Sequence, residues 1–165
     1  MIRRLLLFGC ALALPLAACA QDSAVQVLPP DLHGSRPLEA LTATAVVRDY
    51  LESWKSFRTA LDENAPQLLD EDFVGTALTK LSATIAEQSK LGIHTRYVDG
   101  THRLRIVFYS PDGLSIQIVD RVDYNQQVMQ GNTVIATQPV HARYIVVLTP
   151  SQTRWQVRVF QASAE

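Results

Sequence analysis

Asp120 is the residue of this chain best placed to do chemistry. Ile116 and Ile118 precede it at every second position, so it interrupts an apolar strand face that should meet the interior. A carboxylate buried there needs a partner, because an unpaired buried charge is very costly. The same burial could tune its acidity for proton transfer. If Gly131-Asn132 centres the following turn without a bulge, Asp120 faces Arg143 across the strands. Tyr50 and Trp54 lie four residues apart on an amphipathic segment, and each would offer that face one polar tip. His94 or Tyr97 would approach from a neighbouring strand. Tyr50, Trp54, Asp120 and Arg143 therefore define a candidate pocket. The competing reading is structural, an Asp120–Arg143 pair that sets strand register.

Little else in the chain supports catalysis, and no catalytic residue is assigned. The sequence has no Gly-rich phosphate loop, nucleophile elbow, HExxH or paired-cysteine site, and no cofactor is expected. Asp70-Glu71-Asp72 cannot converge on one point of a helix and reads as a solvated acidic turn. His102 and His141 fall on strands among arginines, without a second histidine at metal-ligand spacing, so no metal site is expected. The net charge of −1 argues against a nucleic-acid partner. Charge is unevenly spread, with six basic and nine acidic residues between 36 and 91, then seven basic and five acidic.

The elements that would position these residues follow from periodicity. Ser110-Pro111-Asp112-Gly113 separates two alternating runs, Arg103–Tyr109 and Leu114–Tyr124, and predicts a β-hairpin. Ile93–Val98 predicts an earlier strand, with Asp99-Gly100 as a tight turn into the strand holding Leu104. Thr133–Thr149 follows the Gly131-Asn132 turn, with a bend or bulge at Pro139, and Pro150-Ser151-Gln152 leads into Arg154–Gln161. This register gathers Leu104, Ile106, Phe108, Ile116, Ile118, Ile145 and Val147 on one face, with Trp155, Val157 and Val159 able to join them. The opposite face holds Arg103, Arg105, Arg121, Arg154 and Arg158. With Tyr109 and Tyr144 as neighbouring aromatics, it is a candidate interface.

Before the strands, Val47, Tyr50, Trp54, Phe57 and Leu61 recur at helical spacing in a helix entered at Pro37, with Ser35 or Arg36 as cap. Asn64 should cap a short second helix, and Val74–Leu91 a third that stops at Gly92. Helices followed by an antiparallel meander predict an α+β fold, N-terminal helices packed on a curved antiparallel β-sheet in a cone-like roll.

The first residues carry the most specific signal. Met1-Ile2-Arg3-Arg4 precedes an apolar run, Leu5–Leu16, too short for a permanent membrane span. Leu16-Ala17-Ala18-Cys19 resembles the bacterial lipoprotein signal. That resemblance implies cleavage of residues 1–18, lipid on Cys19, and a membrane anchor in the cell envelope, with Ala20 fitting an outer-membrane address facing the periplasm. Residues 19–36, with Pro29-Pro30 and Gly34, read as the lipidated cysteine and a flexible tether. Residues 37–165 form the domain.

The order of elements over about Leu38–Gln161 resembles the nuclear transport factor 2-like superfamily, the cystatin-like α+β cone. That superfamily includes isomerases, cyclases, dehydratases, small-ligand carriers and non-catalytic assembly proteins, so the resemblance leaves function open. The expectation is a membrane-anchored, non-catalytic lipoprotein domain for protein or self-association. The alternative is a small-molecule or isomerase/cyclase-like site inside the cone.

Overall fold

A computed structural model describes residues 24–34 and 36–163. Segment 1–18, Cys19 and Ser35 lie outside the described residues. The elements are β1 (Ala24–Val27), α1 (Ala40–Glu63), a 3₁₀ turn (Pro66–Leu69), α2 (Gly75–Lys90), β2 (His94–Tyr109), β3 (Ile116–Gln130), β4 (Thr133–Pro150) and β5 (Trp155–Ser163). The strands form one sheet in sequence order. The helices cover one of its faces, and the fold is α+β.

Helix α1 buries Val46, Tyr50, Trp54, Phe57, Ala60 and Leu61 on one stripe, with Asp49 and Ser53 carried in beside them. It starts later than Pro37 suggests, with Glu39 at the cap position and no side-chain cap bond. Asn64 ends α1 in a left-handed conformation at φ 53° and donates its amide to the Ile93 carbonyl at 2.8 Å. It caps no second helix. Gly92 takes φ 68° just after α2, the stop its position predicted. Asp72, read as part of a solvated turn, is buried and accepts hydrogen bonds from Ser56 and from Arg154.

Four bulges shape the sheet. Asp99 (φ 57°) and Gly100 stand together opposite Tyr124, so His94–Tyr109 is one continuous strand and not two joined by a turn. Val107 is extra in β2, Ile135 in β4 and Arg158 in β5. A bulge bends its strand and adds twist, which curls the sheet around the helices. Pro139 pairs opposite Asn125 without a register break.

The bulge at Ile135 overturns the expected β3–β4 register. Ile118 faces Val146, Asp120 faces Tyr144, and Arg121 faces Arg143. A slip of one residue sends every side chain of a strand to the other face. Tyr144, Val146 and Leu148 are therefore buried, while Ile145 and Val147 point outward. Val107 does the same to the end of β2, burying Tyr109 and not Phe108. In the first hairpin Leu104 is opposite Asp120, and past the Val107 bulge Phe108 faces Gln117.

Part of the expected tether is built into the fold. Ala24–Val27 pairs in parallel with Thr101–Leu104, making the sheet mixed. Leu28, Asp31 and His33 continue along β2 by donating to the carbonyls of Leu104, Ile106 and Val107 at 2.8–3.0 Å.

Candidate functional site

Inside the cone, Asp120 is fully buried and its Oδ2 gathers three donors. Tyr50 donates its hydroxyl at 2.8 Å and His102 approaches through Nδ1 at 2.7 Å. Trp54 donates Nε1 to the Tyr50 oxygen at 2.7 Å and leans towards Asp120 Oδ2 at 3.3 Å. Tyr50 and Trp54 can act together because residues four apart share one face of α1. The Oδ1 atom of Asp120 has no hydrogen-bond partner among the described residues.

Two expectations for this site are corrected. Arg143 is not the partner of Asp120, because the Ile135 bulge puts it on the opposite face. His102, expected only as a strand histidine among arginines, points into the cone. It alternates inward with Leu104 and Ile106 and fills the place foreseen for arginine. The signal was readable, since His102, Leu104 and Ile106 share one parity, but its arginine neighbours masked it. His94 instead bonds Asp62 and the Gly131 carbonyl at 2.9 Å each, away from Asp120.

Tyr97 joins the aromatic packing around Trp54. The rings of Phe57, Tyr97, His102, Tyr124, Tyr144 and Phe160 all lie within 5.1–6.3 Å of Trp54. These rings fill the interior around Trp54. The space left beside His102, Tyr97 and Tyr124 is about 10 Å³, room for at most one water. Burial raises the phenols of Tyr50, Tyr124 and Tyr144 well above their ordinary ionisation, and Asp120 adds to the rise at Tyr50. Burial likewise pushes Tyr97 up to about 12. The interior is a polar contact sealed in aromatic rings.

The outer face of the sheet is built differently. Arg103 is opposite Arg121 on β2 and β3, and Arg121 is opposite Arg143 on β3 and β4, so three guanidiniums stand in a row. Arg105 flanks the row one outward position along β2. Together they line an open groove of about 210 Å³, walled on one side by Asp31 and His33 of the N-terminal segment. A second opening of about 510 Å³ continues from Arg103 and Arg121 towards Thr101, Asp123 and His141. Beyond the arginines, Val119 is opposite Ile145, and Val147 is opposite Val159, all half-buried and outward.

Of the expected interface residues, the structure brings Arg103, Arg105 and Arg121 together and adds Arg143. Arg154 instead turns to Asp72 and Glu71 beneath the helices, and those carboxylates hold its guanidinium above the ordinary arginine value. Arg158 is the extra residue of the β5 bulge, lying against Gly75. Tyr109 is buried, with Arg36 over its ring at 4.6 Å. Tyr144 is inside the cone.

A separate, apolar groove of about 510 Å³ runs between α1 and the N-terminal segment, bounded by Val27, Leu28, Val47 and Leu51. Among the described residues, no helix is long and apolar enough to cross a membrane, and no cluster of histidine, cysteine or acidic residues could hold a metal ion.

No protein-family model matches the chain, and no curated protein matches it. Solved structures do. The intermembrane space region of chloroplast protein ARC6 superposes with a TM-score of 0.61 at 20% identity, covering 79% of this chain and 100% of that one. A putative scytalone dehydratase from Novosphingobium aromaticivorans gives 0.49 at 11% identity, covering 76% and 89%. A Type2 hexachlorocyclohexane dehydrochlorinase, LinA, gives 0.46 at 14% identity, covering 75% and 90%. The likeness shows a shared α+β fold, helices packed on one face of a curved sheet. At these identities the likeness concerns fold and carries no activity across.

Proposed function

We propose that this protein is a lipid-anchored lipoprotein of the bacterial cell envelope, attached through Cys19. Its domain acts without catalysis, as an association module for a protein partner or a second copy. The observation carrying this reading is the contrast between the two faces of the sheet. The inner face is sealed by aromatic rings around Asp120, with about 10 Å³ left open. The outer face presents half-buried Val119, Ile145, Val147 and Val159 beside a cluster of arginines, the mixture that protein interfaces favour. A carrier or isomerase/cyclase-like site in the cone would need a pocket of several hundred Å³. It could form only if Trp54 and its neighbouring rings moved apart.

The outward apolar strip also supports docking through side chains. Replacing Ile145 by Asp changes a surface position and leaves the core intact. In membranes solubilised with mild detergent, the wild-type chain is expected to migrate in a complex larger than its own mass. Ile145→Asp is expected to release it, with an unchanged melting profile. In the same membranes Cys19→Ser should lose lipid labelling. A wild-type chain that migrates as a monomer, or an Ile145→Asp complex of unaltered size, contradicts the association. Labelling that survives Cys19→Ser contradicts the anchor.

A further inference from the structure

We infer that the domain rests on the membrane along its β1 edge, with the apolar groove between α1 and the N-terminal segment turned into the lipid interface. This rests on the lipid-anchor reading above and assigns a partner to a surface which that reading leaves unused. In the parallel register Val25 is opposite His102 and Val27 opposite Leu104, so both valines point to the helix side of the sheet. His102 and Leu104 are buried there, yet Val25 and Val27 remain 42% and 53% exposed, because α1 leaves the edge strand uncovered. Next to Val27 the groove of about 510 Å³ opens between Leu28 and Val47. Leu41, 84% exposed, lies one helical turn before Thr44 and two before Arg48, on the line of α1 that walls the groove. An apolar strip therefore runs from β1 to the first turn of α1. Arg48, the only charged residue on the groove's walls among those described, is already paired with Asp49 at 2.8 Å. The strip is apolar and carries no net charge.

The length of the tether decides what covers this strip. Only residues 20–23 separate Cys19 from Ala24, which opens β1. Five residue steps reach at most about 18 Å, even fully extended. A domain of about 140 residues has a radius of gyration of roughly 14 Å. Lipid on Cys19 therefore holds the start of β1 within about one domain radius of the bilayer. Val25 and Val27 follow immediately, so their strip is the apolar surface nearest the lipid. Apolar side chains at the headgroup–acyl boundary gain the burial that water denies them. A second copy or a protein partner would have to enter the narrow space between domain and bilayer to reach the same strip. With the β1 edge down, the sheet stands away from the bilayer and its outer face stays open to a partner.

The test uses the lipidated chain in vesicles of neutral phosphatidylcholine that carry a doxyl spin label just below the headgroup. Cys10 and Cys19 are the chain's two cysteines, the first in the cleaved segment and the second lipidated, so one introduced cysteine can hold a nitrobenzoxadiazole probe. Leu41→Cys puts the probe on the strip. Leu91→Cys is the control, an exposed apolar position just after α2, which packs on β5 at the opposite edge of the sheet. Quenching by the spin label is expected to be about threefold or more stronger at Leu41→Cys, and insensitive to salt because the strip has no net charge. Val27→Asp puts a charge in the strip and should lower quenching at Leu41→Cys towards the Leu91→Cys level, with a thermal melt to show that the variant is folded. The two probe positions decide the matter without it. Equal quenching at both, or a Leu41→Cys probe that reports water, overturns the proposal. So does quenching abolished by salt. Energy transfer between probes on different copies, in place of quenching by lipid, also overturns it and gives the strip to a second copy. Lipid labelling that survives Cys19→Ser removes the anchor and the tether argument with it. A chain lipidated at Cys19 whose Leu41→Cys probe stays in water removes this inference alone.

Discussion

Asp120→Ala is expected to cost roughly 3–5 kcal/mol of stability, the usual range for removing one partner of a buried polar constellation. The substitution strands the Tyr50 hydroxyl and the His102 Nδ1 in an interior with room for at most one replacement water. It also breaks the only connection that ties α1 to the middle of β3 by a side-chain hydrogen bond among those described here. Urea unfolding should show the midpoint falling with an unchanged slope. Asp120→Asn keeps an acceptor and should cost less. Arg143→Ala is the informative companion. Because Arg143 lies on the other face and makes no contact with Asp120, its removal should cost far less than that of Asp120. A large loss for Arg143→Ala combined with a small one for Asp120→Ala would contradict the register.

Steep alkaline unfolding is the second large effect expected. In the unfolded chain the phenols ionise near 10.0, whereas folding pushes Tyr97 up to about 12 and raises Tyr50, Tyr124 and Tyr144 as well. Burial is the leading cause at all four. A group whose folded value is raised contributes stability that is complete below its unfolded value and is lost as pH climbs towards the folded one. Stability should therefore be flat up to about pH 10 and then fall. The limit is about 1.4 kcal/mol per pH unit for each tyrosine held neutral. Tyrosinate absorbance and far-ultraviolet circular dichroism followed on one titration should change together. Phenols that ionise near 10 while the dichroism stays native would show that the cone is open to water.

Much of this architecture was legible because it depends on local patterns. The Pro-Asp-Gly turn, the stop at Gly92 and the aromatic stripe of α1 are each set by a few neighbouring residues. Asp120 was legible for the same reason, as a polar break in an alternating face, and Tyr50 and Trp54 followed from their spacing. Its third partner was not. Pairing across strands depends on how many residues each strand spends between turns, and one extra residue, Ile135, reversed the sense of β4 from Ala136 onward. That reversal moved Arg143 outward, Tyr144 inward, and Ile145 and Val147 from the supposed core to the surface. The outer face therefore became more apolar than its sequence suggested. The N-terminal segment was misread for a related reason. Parallel pairing of Ala24–Val27 with β2 is a long-range contact that no periodicity within four residues can announce.

The central claim is that the outer sheet face, and not the cone interior, meets a partner. Site-specific photo-crosslinking in cells tests it most directly, with a photoreactive residue at Ile145 on the outer face and, in a second strain, at Lys80 on the exposed side of α2. A discrete adduct is expected from Ile145 and none from Lys80, and charge reversal at Arg121 should suppress the Ile145 adduct. Adducts of equal yield from both positions, or none from Ile145 under conditions where the protein is at its native level, would contradict the account.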